Sequence, residues 1–105
     1  MPTIAVDTTL QTVITTFEIT PGTCDDLLEA LSDAYAGFVR NQPGFVAVGI
    51  HVNDARTRVC SYSQWQRRED FHAMLRAPEM RRRNRVIHDL CKGFEPVMYE
   101  VAGVF

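Results

Sequence analysis

At 105 residues the chain has room for one hydrophobic core and is too short for two. Its 46% hydrophobic and 23% charged residues are the balance of a folded globular domain, which excludes a disordered chain, and no apolar run approaches bilayer-spanning length. A net charge of -2 supplies no electrostatic basis for nucleic-acid binding.

Residues 1–10 hold no basic residue and no sustained apolar stretch, so they do not read as a secretory signal. The cysteines, Cys24, Cys60 and Cys91, are odd in number and far apart, without a Cys-x-x-Cys pair. They are expected to be reduced thiols in a cytoplasmic protein, with neither a disulfide framework nor structural zinc.

Residues 11–19 alternate Val13, Thr15, Phe17 and Ile19 against Thr12, Ile14, Thr16 and Glu18, the β-branched pattern of a strand. Pro21-Gly22 closes it, and Thr23 followed by Asp26 has the form of a helix N-cap. Leu27, Leu28, Leu31, Ala34, Tyr35, Phe38 and Val39 then recur at three- and four-residue intervals, which places them on one helix face. Asn41-Gln42-Pro43-Gly44 ends that helix. Residues 45–52 and 57–65 read as two strands joined by a hairpin with Asn53-Asp54 as its turn. A short helix is predicted from Arg68 to the break at Pro78, a second from Pro78 to Gly93, and a last strand from Pro96 to about Val101.

Strand, helix, two strands, helix pair, strand is the order of a ferredoxin-like split-βαβ α+β domain. The whole of 1–105 is expected to form that single domain, with its core within about 11–101. Helices cover one sheet face and leave the other unpartnered, while apolar residues fall on both sides of the strands. A symmetric homodimer with its two four-stranded sheets face to face is the economical solution.

Four features, taken in order, resemble the antibiotic biosynthesis monooxygenase family of dimeric α+β barrels. They are Val13-Ile14-Thr15-Thr16-Phe17-Glu18-Ile19 with Pro21-Gly22 after it; Gln42-Pro43-Gly44-Phe45; Tyr62-Ser63-Gln64-Trp65 with Phe71 beyond; and Gly93-Phe94-Glu95-Pro96 leading into Met98-Tyr99-Glu100-Val101. The resemblance implies a pocket between sheet and helices, lined by the third strand. It also implies a choice of chemistries: oxidation of polycyclic aromatic polyketides to quinones with dioxygen as co-substrate and no cofactor, haem degradation in another branch, or polyketide cyclisation. Trp65 matches a pocket tryptophan of the family. Ser61 stands where its oxygenases usually carry asparagine, and Thr15 where some carry another. Phe71 aligns with a tyrosine proposed as a proton donor in one member, and Asn84 lies nearest the histidine ligand of the haem-degrading branch.

Each candidate has a plainer reading beside its functional one. Trp65 is a stacking surface for a flat ligand or a large core side chain. Thr15, Ser61 and Ser63 are pocket hydrogen-bonding groups or satisfy nearby backbone. His72 and His88 lie on helices and either can act as a base, His72 being preferred because it is next to pocket-lining Phe71; His51 reads as a hydrogen-bonded interface residue. Arg81, Arg82, Arg83 and Arg85 read as a solvated helix face, from which Arg83 or Arg85 can turn inward to an acidic phenol, with Asn84 between them on a substrate oxygen. No spacing of metal ligands, phosphate loop or serine-histidine-acid set is present. The leading expectation is thus a cofactor-free monooxygenase of an aromatic polyketide such as an anthrone-type phenol, with Trp65, Ser61, His72 and Asn84 as catalytic candidates and Thr15, Ser63, Phe71 and Arg83 contacting substrate. An aromatic polyketide cyclase and a non-catalytic ligand-binding partner of a tailoring enzyme are the alternatives.

Overall fold

A computed structural model describes residues 1–6 and 8–105. In chain order the elements are β1 (Gln11–Glu18), α1 (Cys24–Gly37), β2 (Phe45–Val52), β3 (Arg58–Trp65), α2 (Arg68–Arg76), α3 (Pro78–Asp89) and β4 (Gly93–Tyr99), with short 3-10 turns at Pro21–Thr23 and Val39–Asn41. The strands form one antiparallel sheet in the order β2-β3-β1-β4, the ferredoxin-like α+β arrangement.

Strand alternation decides which residues meet the helices. Val13, Thr15 and Phe17 of β1 stand opposite Ser63, Ser61 and Val59 of β3 and opposite Met98, Pro96 and Phe94 of β4. On this face Val13, Phe17 and Val59 are buried against Leu27, Leu31 and Ala34 of α1 and against Phe71, Met74, Met80 and Ile87 of α2 and α3. Full burial of a side chain such as Leu27 stabilises the fold by about 1.5–3 kcal/mol. The Phe17 and Phe94 rings pack with centroids 5.0 Å apart, which couples β1 to β4.

The opposite face carries Ile14, Tyr62, Val97 and Tyr99, with Val97 and Tyr99 exposed. At one end it is covered by the chain's own beginning. The Gln64 side-chain amide accepts from the Thr3 backbone N–H (3.1 Å) and donates to the Thr3 carbonyl (2.6 Å), so a polar residue buried on this face is fully paired.

Three local expectations change. Thr23 precedes α1 but its hydroxyl donates back to the Thr20 carbonyl (3.3 Å) and does not cap the helix; Asp25 and Asp26 in the first turn complement its dipole instead. The third strand begins at Arg58, one residue later than expected; Asn53 supplies the turn chemistry, its side-chain oxygen accepting from the backbone of Thr57 (2.9 Å) and Arg58 (2.8 Å), and Arg56 takes a positive φ of 57°. The last strand begins at Gly93, not Pro96. As β4 lies at the sheet edge, Pro96 sits within it without a second neighbouring strand to deprive of a donor.

Gly44 enters β2 at φ 82°, and a Cβ there would overlap the Asp70 carboxylate of α2, which pairs with Arg67 at 3.3 Å. Gly44→Ala is therefore expected to destabilise the fold by roughly 1–3 kcal/mol, read as a lower urea midpoint at unchanged slope.

Candidate active site

The helices do not close completely on the sheet. Between them lies a narrow, mostly apolar pocket with a cavity volume of about 40 Å³, open at its mouth. Its floor is the sheet: Thr15 and Phe17 from β1, Ser61 from β3, Phe94 and Pro96 from β4. Leu31, Ala34 and Tyr35 of α1 form one wall, with Val39 beyond them. The other wall is Phe71, Met74 and Leu75 of α2 with Met80, Asn84 and Ile87 of α3. Thr15 and Ser61 are direct cross-strand partners, so the register alone brings their two hydroxyls side by side on the floor.

Thr15, Tyr35, Ser61 and Asn84 are the polar side chains of this lining, and Tyr35 is its only titratable one. Burial raises the Tyr35 phenol above its ordinary value of 10.0; the neighbouring Ser61 hydroxyl acts in the opposite sense, and Cys60 adds slightly to the rise. At neutral pH it is an O–H donor. The ring rests against Phe45, with centroids 6.3 Å apart at 46°.

Of the residues singled out in the sequence, Thr15, Ser61, Phe71 and Asn84 meet at this pocket. Ser63 and Trp65 lie beside it in the core. Trp65 is fully buried, with its rim against Phe45 (5.3 Å, 83°) and Phe71 (5.7 Å, 71°). Its indole N–H donates to the Ser63 hydroxyl (3.2 Å), which donates to the Val13 carbonyl (3.3 Å). In this place the indole braces Phe71, and Phe71 faces the pocket. His72 is exposed on the far side of α2, because adjacent helical residues point about 100° apart. Arg83 turns back along α3 to Glu79 (3.1 Å), and its guanidinium lies against Gly37, so Asn84 alone of that run reaches the lining.

Tyr35 was legible in the sequence only as part of the apolar stripe of α1. Its spacing of four from Leu31 marks the shared face, and nothing in the pattern separates a packed ring from one whose hydroxyl reaches a pocket. Among the described residues no group of three or more His, Cys, Asp and Glu side chains is placed to hold a metal ion.

An antiparallel sheet covered on one face by helices, with a mostly apolar pocket between the layers, defines a ferredoxin-like α+β domain. Residues 10–85, more than half of the chain, match the family model described as antibiotic biosynthesis monooxygenase, and the chain belongs to that family. No curated protein matches it by sequence. Among solved structures it is similar to a monooxygenase from the ActVA-Orf6 gene of Streptomyces coelicolor in complex with nanaomycin D (TM-score 0.79, 21% identity, covering 90% of this chain and 89% of that one). It is likewise similar to an asparagine-to-alanine mutant of SnoaB, a cofactor-independent oxygenase from Streptomyces nogalater (TM-score 0.80, 17% identity, 92% and 97% covered). A conserved protein from Methanosarcina mazei has the same fold (TM-score 0.76, 11% identity, 87% and 91% covered). At these identities the likeness shows the fold.

The Trp65–Ser63–Val13 chain yields a stability test. Ser63→Ala leaves a buried indole N–H without its acceptor and is expected to cost about 1–3 kcal/mol, whereas in a Trp65→Phe background the same change is expected to cost markedly less. Urea unfolding of the four proteins measures the difference.

Proposed function

We propose that the chain is a cofactor-independent monooxygenase that oxidises a polycyclic aromatic polyketide, an anthrone-type phenol, to the quinone. The observation that carries this reading is the lining itself: aromatic and aliphatic walls around a few neutral polar groups, with no carboxylate, histidine or basic side chain among the lining residues. Such a lining favours a flat, largely apolar ligand, for which the walls must part, and is suited to a substrate whose own acidity supplies the reactive anion. The family membership and the cofactor-independent oxygenase among the structural neighbours support the same chemistry.

In this reaction the activated ring methylene loses a proton, and the resulting carbanion-enolate transfers an electron to dioxygen. Recombination forms a carbon-bound hydroperoxide. Loss of the remaining C–H proton with cleavage of the O–O bond leaves one oxygen as the new carbonyl and releases the other as water. The substrate is the reductant and dioxygen the co-substrate, so the electron count closes without flavin, haem or metal. The protein's part is orientation between Phe71, Phe17 and Phe94, hydrogen bonds from Thr15, Ser61 and Asn84 to the substrate oxygens, and restricted access of water. Incubation of metal-free protein with anthrone under labelled dioxygen is expected to give quinone with one labelled carbonyl oxygen. Ring closure of an uncyclised polyketide at the same rate without dioxygen would make it a cyclase instead, and aromatic binding without turnover would make it a carrier.

The working unit of this reading is a homodimer in the cytoplasm. Ile14, Tyr62, Val97 and Tyr99 form an unpartnered apolar strip on the outer sheet face, the feature a second copy would cover. The three cysteines are free, and among the described residues no helix is long and apolar enough to cross a membrane. Sedimentation of the native protein is expected to give twice the chain mass, and Val97→Arg is expected to shift it toward the single-chain mass.

A further inference from the structure

We propose that Tyr35 of α1 is the hydrogen-bond donor that holds the substrate oxygen on which negative charge develops, acting from the helix wall while Ser61 acts from the sheet. This rests on the function proposed above and assigns its anion-holding group to a helix.

Position is the first argument. Leu27, Leu31 and Ala34 of α1 are buried in the core, and Tyr35 lies one turn beyond Leu31 on the same side. Its ring is held by Phe45, and its side chain lines the pocket in common with Ser61. The second argument is the hydroxyl. For packing alone on this apolar stripe a phenylalanine would serve, and a phenol brought out of water needs a partner. Within the chain its hydrogen-bonding neighbour is the Ser61 hydroxyl, so the two groups stand together at the pocket. The hydrogen bonds of the neighbouring core run from Trp65 through Ser63 to Val13 and draw on neither Tyr35 nor Ser61.

Chemistry is the third. When the substrate methylene loses its proton, charge moves to the carbonyl oxygen, and an oxyanion in an apolar pocket is stabilised chiefly by fixed donors. No cation lines the pocket to perform this role. A phenol kept protonated by its burial is the most acidic donor available there, and its hydrogen bond strengthens as the acceptor becomes an anion. The bond therefore stabilises the anion more than the neutral substrate, which is the condition for accelerating its formation.

Tyr35→Phe removes the hydroxyl and keeps the ring on Phe45. Its test uses two flat probes that need no turnover: anthracene, and a monohydroxyanthraquinone whose hydroxyl cannot bond its own carbonyl. The expected result is about tenfold weaker affinity for the hydroxyanthraquinone anion, with anthracene affinity unchanged. The visible spectrum of the bound hydroxyanthraquinone is also expected to show ionisation about one pH unit higher than in the native protein. Equal affinity and equal ionisation in the two proteins would overturn the assignment while leaving the oxygenase reading intact. Equal loss of both probes would also overturn it, making Tyr35 a wall of the pocket. Failure of the native protein to bind either probe would overturn the aromatic-substrate reading, and this assignment with it.

Discussion

The register of β1 against β3 is the constraint on which both the core and the pocket depend. With Val13 opposite Ser63, Thr15 opposite Ser61 and Phe17 opposite Val59, one side of two adjacent strands presents an apolar end, a pair of hydroxyls and a second apolar end to the helices. Because the side-chain period of a strand is two, a slip of β3 by one residue against β1 would send Ser63, Ser61 and Val59 to the other face and bring up Gln64, Tyr62 and Cys60 beside Val13, Thr15 and Phe17. Gln64 would then lose its pairing with Thr3, and Trp65 its place among Phe45 and Phe71. The register is thus held from both faces of the sheet, by packing on one and by a two-point amide contact on the other.

Within that register, the serines of β3 take different parts although they differ only in position along the strand. Ser63 lies under the indole and is saturated, accepting from Trp65 and donating to Val13. Ser61, two residues back, lies where the layers separate and faces the pocket with Thr15. The difference comes from the helices above them. Bulky Phe71 and Trp65 fill the space over one end of the strand, whereas Ala34 on α1 leaves room over the other. A small residue at that helical position is thereby part of the pocket's construction.

Much of this was legible in the sequence, because periodicity reports which residues share a face. The alternation in residues 11–19 and 57–65 identifies the floor of the pocket, and the three- and four-residue spacing from Leu27 identifies the helix that roofs it. Illegible were features set by packing between elements. Whether α3 presents Arg83 or Asn84 inward depends on its roll against α1, where Gly37 admits the Arg83 guanidinium beside Glu79. The start of β4 at Gly93 depends on that strand lying at an edge, which makes Pro96 tolerable and which one segment's pattern does not reveal. His72 attracted notice by chemistry alone, and helical geometry turned it to water.

Where the family resemblance implies asparagines, Ser61 and Thr15 would change more than hydrogen-bonding capacity. A serine or threonine hydroxyl ends closer to its own strand than an amide would, so donors on the floor reach less far into the pocket. A planar ligand can then settle deeper on the sheet, or its oxygen can be met from the opposite side. Tyr35 occupies that opposite side, with the long reach of a phenol from the wall formed by α1. Short donors below and a long donor across are complementary in the space they leave, and the same two changes move the polar end of the pocket from the sheet toward the helix. Under the proposed function, that geometry favours substrates whose oxygen projects from the ring edge toward α1, with the hydrocarbon rings between Phe71 and the Phe17–Phe94 pair.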